Sequence, residues 1–280
     1  MLPDWVTPLL RCPATGQRLE PRGNTLVRAD GKVFPCPDGI ASLVYPEALA
    51  ADDASWNRFY DALAPFYDFS ERVLGRLLTG VDTAKGRAEI VKLASFEPGG
   101  LLLEVSPGPG VFLPLLSEAL GPGARIAAAD LSLNMLRQCR RWQAALMRPT
   151  ASSHPLAATS QANFLRGLPS IALVHANAMH LPFADDSFDA LFHFGGVNLF
   201  SDPGRALGEF VRVVRKGGRI VWGDEQMSEN FTHPVGRRVL PRINPGFKKT
   251  PPAPPDGAEV LARHEVYDGL GYLVVARKTA

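Results

Sequence analysis

The sequence predicts an α/β protein, a largely parallel sheet with helices on both faces, on three observations. Leu101 to Leu116, written LLLEVSPGPGVFLPLL, passes from a short buried strand through a glycine turn into an apolar pattern compatible with a helix. Ala124 to Ala129 follows as an Ile/Ala strand ending at Asp130, the separation from Gly110 at which a carboxylate can reach the two hydroxyls of a ribose. Strand and helix patterns then alternate as far as Ala276.

At 280 residues the chain is long enough for one large domain with an appendage, and 46% hydrophobic with 21% charged residues is a globular composition. A net charge of +2 argues against an overall electrostatic nucleic-acid binder, without excluding a local patch. Three cysteines, Cys12, Cys36 and Cys139, are too few and too scattered for a disulfide framework. With no signal-peptide pattern and no apolar run of about 18 residues, the expected location is cytoplasmic and no membrane span is expected.

Three regions are expected: a small β module over residues 1–48, a helical cap and linker over 49–98, and the main α/β domain over 99–280. In the first, Leu10 to Gly16 reads as a knuckle, Thr25 to Arg28 and Lys32 to Phe34 as short strands, and Pro37 to Ile40 as a turn. A tetrathiolate zinc site needs two Cys-x-x-Cys pairs, but only Cys12 and Cys36 are present and Thr15 stands where a second cysteine would fall. No metal is expected. From Pro46 to Ser95 the pattern is helical, with Trp56, Phe59, Tyr60, Leu63, Phe66 and Tyr67 at spacings of three and four. The stripe reads as a core-facing helix or as a cap over a ligand, with Tyr60 and Tyr67 the residues to watch.

The glycine turn aims helix amides and an approachable backbone beyond the strand end, as a cofactor site requires. Leu113 occupies the third glycine position of a dinucleotide fingerprint, and no lysine follows Gly110 as a triphosphate loop would need. A ligand with an adenosine moiety and an amino-acid tail, free of phosphate, fits what remains.

These residues resemble the first motif of class I S-adenosylmethionine-dependent methyltransferases, whose acidic-x-Gly-x-Gly-x-Gly pattern lies over Glu104, Ser106, Gly108 and Gly110. Ser106 replaces the first glycine and must avoid a positive φ or accept strain there. ADLSLNMLRQCRR resembles the second motif, with Asp130 on the ribose and Leu131 beside it, while HANAMHLPFADDSFDALF resembles the adenine-binding stretch of the small-molecule branch. There Asn177 replaces an aspartate and can still accept from an amine through its carbonyl, and Ala178 and Met179 continue the contact. WNRFYDALAPFYDFSERVL resembles the helix that lies over the cofactor in quinone and small-molecule enzymes, and ALGEFVRVVRKGGRIVWGDE resembles the helix, turn and fifth strand. The N-terminal segment is similar to a degenerate zinc ribbon. The resemblance implies a Rossmann-like seven-stranded sheet, completed by Val260–Val266 and Gly271–Ala276 as an antiparallel pair. It implies S-adenosylmethionine as cofactor and methyl transfer to a small, apolar or aromatic metabolite.

His193, at the end of the fourth strand, is the first candidate base and His233 the second. Arg237, Arg238, Arg242, Lys248 and Lys249 form a basic cluster, usually a solvated face. Together with the ribbon-like start it keeps an RNA methyltransferase as an alternative. Ser106 and Asn177 keep open a cofactor-binding protein that no longer transfers methyl. The irregular stretch from Arg148 to Pro169 reads as an inserted surface loop.

Overall fold

A computed structural model describes residues 2–63, 79–146 and 170–279. Tyr67 and the proposed insertion at 148–169 lie outside the described residues. The N-terminal strands are β1 (Leu19–Arg22), β2 (Thr25–Arg28), β3 (Val33–Pro35) and β4 (Ala41–Ser42), followed by α1 (Ala51–Leu63) and α2 (Thr83–Ala94). The main domain runs β5 (Leu101–Val105), α3 (Leu113–Leu120), β6 (Arg125–Asp130), α4 (Leu133–Leu146), β7 (Ser170–His175), β8 (Phe188–Phe194), α5 (Pro203–Val213), β9 (Val214–Glu225), α6 (Pro234–Ile243), β10 (Ala258–Val266) and β11 (Gly271–Lys278).

The large sheet has the order β10-β11-β9-β8-β5-β6-β7-β4. All neighbours are parallel except β11, which is antiparallel to both β9 and β10. The seven expected strands are present, and β4 joins them at the far edge as an eighth, pairing Ala41 with Val174 and Ser42 with His175. β1, β2 and β3 form a separate antiparallel sheet.

β5 is buried along its whole length, as a central parallel strand must be. Its side chains alternate between two cores. Leu101, Leu103 and Val105 face one that holds Leu207 and Phe210 of α5; Leu102 faces the other, with Ile90 of α2, Leu116 of α3 and Leu136 of α4. Helix starts follow local chemistry: Asp82 accepts from the amides of Ala84 and Lys85, and Asp202 from that of Arg205.

The N-terminal module has a structural task. The connection from β7 to β8 is only residues 176–187 and contains no helix, so part of the α5-side face has no crossover helix to cover it. Val6, Leu10, Cys12, Leu19 and Leu26 are buried in one cluster with Ala127, Ala129, Ala172 and Val174. The Arg11 amide donates to Pro182 O at 2.9 Å and the Ala184 amide to Leu9 O at 2.9 Å, tying the module to that connection. Burying this apolar surface stabilises the sheet by roughly 25 cal/mol for each Å² removed from water.

Candidate functional site

The carboxyl ends of β5, β6, β8 and β9 open into a cavity of about 310 Å³, near the small end of the range for small-molecule pockets. One wall is the turn Ser106–Pro109 with Asp130, Leu131 and Ser132 at the end of β6. Asp53, Trp56 and Asn57 of α1 form another, and Thr83 and Arg87 of α2 a third. Much of the remaining lining is apolar and aromatic: Phe112, Phe194, Leu199, Phe200, Phe247, Tyr267 and Leu270.

Ser106 accepts strain, with φ 56, and its amide donates to Ala129 O at 2.8 Å. Gly108 (φ 56) and Gly110 (φ 91) are also left-handed, but for different ends. A Cβ on Gly108 would meet nothing within 4 Å, because it would project into open space; one on Gly110 would strike Leu113 Cδ1 at 3.0 Å and Cys139 Sγ at 3.1 Å. Gly110 thus lets α4 pack beneath the turn, whereas Gly108 keeps the backbone bare on the open side.

The Gly108 amide donates to Asp130 Oδ2 at 3.0 Å, and the Ser132 amide to Asp130 Oδ1 at 2.8 Å. Turn and carboxylate are therefore one unit. A carboxylate offers about four acceptor positions, and these two bonds leave one on each oxygen. Burial pushes the Asp130 carboxyl up to about 7, partly offset by the Ser132 and Gly108 amides. On β5, burial and then the neighbouring Asp130 push Glu104 up to about 8; its Oε2 is buried with no hydrogen-bond partner. Above Asp130, Ser132 Oγ donates to Asp61 of α1. At the other end of the helix, Asp53 accepts from the Ser201 amide at 3.0 Å and its hydroxyl at 2.6 Å. α1 is thus held over the cavity at two points.

The other expected site residues do not all reach the cavity. Leu131 lines the cavity, and its carbonyl pairs with His175 Nε2 at 3.0 Å. Asn177 is buried, with Oδ1 taken by the Met179 amide at 3.0 Å, and neither it, Ala178 nor Met179 is in the cavity wall. The Asn side chain closes its own turn, and Ser201, held by Asp53, lies against Met179 Sδ at 3.6 Å. Tyr60 lies on α1.

His193 is fully buried and not in the cavity wall. Strand alternation turns Phe194 toward the cavity and His193 to the opposite face, where it packs on Phe200 and Phe210 and its Nδ1 pairs with Val105 O at 2.9 Å. Burial lowers its pKa. His233 caps α6, its Nδ1 accepting from the Gly236 amide at 3.2 Å, and it too lies outside the cavity wall.

Several cavity residues were not singled out from sequence. For Tyr267 a usable signal lies in Gly86, itself outside the cavity wall: a Cβ there would stand 2.3 Å from the Tyr267 ring, and an interior helix glycine marks such a close approach. Arg87 and Phe247 carry no comparable signal. Cys12 and Cys36 are both buried, and among the described residues no group of three or more His, Cys, Asp or Glu side chains could hold a metal ion.

Residues 103–222 match the family model described as a methyltransferase domain. Over these residues the chain is similar to a methyltransferase domain, a match that spans less than half of its 280 residues. A demethylmenaquinone methyltransferase of Thermus thermophilus is 32% identical over 162 residues, covering 58% of this chain and 62% of that protein. One of Renibacterium salmoninarum is 29% identical over 176 residues, covering 63% and 58%. The chain thus spans less than two thirds of either relative's length. A SAM-dependent methyltransferase from Aquifex aeolicus superposes with a TM-score of 0.50 at 19% identity, covering 78% of this chain and 98% of that one. The cyclase SpnF does so at 0.50 and 16%, covering 83% and 98%; at such identities the likeness is one of fold.

The cavity's donor set fits S-adenosylmethionine, the cofactor that the sequence resemblance implies. Asp130 keeps acceptor positions for two vicinal hydroxyls, Gly108 leaves the space beside the turn open, and Leu131 and Met135 supply apolar surface next to them. Trp56 and Asn57 of α1 stand over the same space.

Proposed function

We propose that the protein transfers a methyl group from S-adenosylmethionine to a small apolar or aromatic metabolite. The observation that carries this reading is the Gly108–Asp130 unit opening onto a cavity lined largely by aromatic side chains. When bound, the cofactor supplies a methyl carbon activated by a sulfonium leaving group. The chain's part is alignment and exclusion of water. Asp130 and the glycine turn would hold the nucleoside, and α1, anchored through Asp53 and Asp61, would close the site. Phe194, Phe200, Phe247 and Tyr267 would orient a planar acceptor by ring contacts.

An acidic acceptor needs a base. His193 is turned into the core. Glu225, at the carboxyl end of β9 in the cavity wall, is the carboxylate this reading assigns to that proton. The names of the relatives support an apolar quinone-like acceptor. The fold by itself does not select the chemistry, since a cyclase shares it.

Calorimetric titration of S-adenosylmethionine tests the site: Asp130→Ala should weaken binding at least tenfold, and unchanged affinity would refute the assignment. Incubation with demethylated quinones and other aromatic metabolites should then release S-adenosylhomocysteine. Tight binding with no turnover on any acceptor would favour a binding protein that does not methylate.

A further inference from the structure

The stretch Asn230–Pro255 carries five cations, Arg237, Arg238, Arg242, Lys248 and Lys249, and no carboxylate. None of the ion pairs among the described residues includes any of the five. Arg237 donates to the carbonyls of Ser228 and Phe231, and Lys249 to that of Asn198, bonds that position these charges without neutralising them. On α6, Val235, Val239 and Ile243 recur every four residues and so share one stripe, with Arg238 and Arg242 in a second stripe beside it. Val235 is 50% exposed and Ile243 62%, two of the most exposed large apolar residues among those described. The inner side of the same helix presents Leu240, which with Phe247 lines the cavity.

We propose that the outer face of α6 and the following Lys248–Lys249 dock on an anionic membrane surface. A cationic stripe beside an exposed aliphatic one on a short helix matches a headgroup boundary, where the arginines meet lipid phosphates and the aliphatic side chains enter the acyl edge. An RNA face would use the same charges but gains nothing from Val235 and Ile243. It would also want exposed rings for base stacking, whereas Phe231 is buried and Phe247 half-buried. Among the described residues no helix is long and apolar enough to cross a membrane, so the contact is peripheral. A consequence that rests on the methyl-transfer reading is that an apolar acceptor reaches the cavity from the bilayer, past Leu240 and Phe247.

The test is co-sedimentation of the full chain with vesicles of phosphatidylcholine alone or with about one third phosphatidylglycerol. The protein should partition only onto the anionic vesicles. Arg238→Gln combined with Arg242→Gln should lower that partition by about thirtyfold, and Ile243→Ser should weaken the part that survives high salt. Melting temperature and S-adenosylmethionine titration should be unchanged in both variants. Absence of binding to anionic vesicles, or equal partition of the parent and the Gln pair, overturns the proposal. So does transfer RNA binding that the Gln pair weakens while vesicles are ignored. If vesicles bind as expected but the parent fails to take up S-adenosylmethionine, the methyl-transfer reading falls and the docking surface stands.

Discussion

Cys139 Sγ stands 3.1 Å from where a Cβ on Gly110 would sit, and the same sulfur reaches the Gly108 carbonyl at 3.2 Å. α4 is therefore packed directly under the glycine turn, and the turn's shape depends on a helix that follows the next strand. Gly110→Ala should cost about 1–3 kcal/mol, from left-handed strain and contact with Cys139 and Leu113 together. Gly108→Ala should cost less, because its Cβ meets only open space, yet weaken S-adenosylmethionine binding because that space is the cofactor's. Thermal melts and titrations of the two variants check the split. Equal losses of stability would contradict it.

Ser106 holds φ 56 where a glycine would be unstrained. The left-handed conformation costs an L-residue about 1–2 kcal/mol, and the extra freedom of an unfolded glycine returns about 0.5–1. Ser106→Gly should stabilise the protein by about 0.5–1 kcal/mol, raising the melting temperature. Ser106→Val, β-branched at the same φ, should lower it. A drop on introducing glycine would mean that the serine hydroxyl has a role its backbone geometry does not reveal.

Glu104 links stability to pH. Its carboxyl rises from 4.5 unfolded to about 8 folded, so between those values the native state keeps a proton that the unfolded chain releases. This contribution is complete below about pH 4.5 and is lost as pH rises through about 8, at about 1.4 kcal/mol per unit. Glu104→Gln, neutral throughout, should flatten the profile and be the more stable protein at pH 8.5, while differing little from the parent at pH 5. Denaturant melts across that range check both ends. Parallel profiles would show that Glu104 is charged in the folded protein.

What could be read from sequence was what lies close in the chain. The strand, glycine turn and Asp130 form a local pattern, and their meeting at 3.0 Å follows from the parallel pairing of β5 with β6. His193 was misplaced because its position at a strand end was legible but the face it takes was not; that depends on which neighbour, Phe194, the cavity claims. Asn177 has the right chemistry for an adenine contact, yet its own turn uses the carbonyl. Arg87, Phe247 and Tyr267 reach the cavity from elements far apart in sequence, so no spacing rule could group them. The role of the N-terminal module was hidden in an absence, the helix missing between β7 and β8, which shows only when the sheet face is seen to need a cover.

Asp130 should give cofactor binding its own pH dependence. Free, its carboxyl titrates at about 7 because burial disfavours the charge. Two ribose hydroxyls donating to it favour the ionised form, so binding is coupled to loss of a proton and strengthens as pH rises through about 7. Below that value the dissociation constant should rise up to about tenfold per unit, since a protonated oxygen must offer a hydrogen where a hydroxyl also donates. Glu104 stays protonated through most of this window and adds little charge of its own. Calorimetry with S-adenosylhomocysteine in buffers of different ionisation enthalpy would show proton release near pH 7. Asp130→Asn should bind more weakly at pH 8 but with an affinity nearly flat from pH 6 to 8. A parent protein whose affinity does not change over that interval would mean that Asp130 does not receive the hydroxyls.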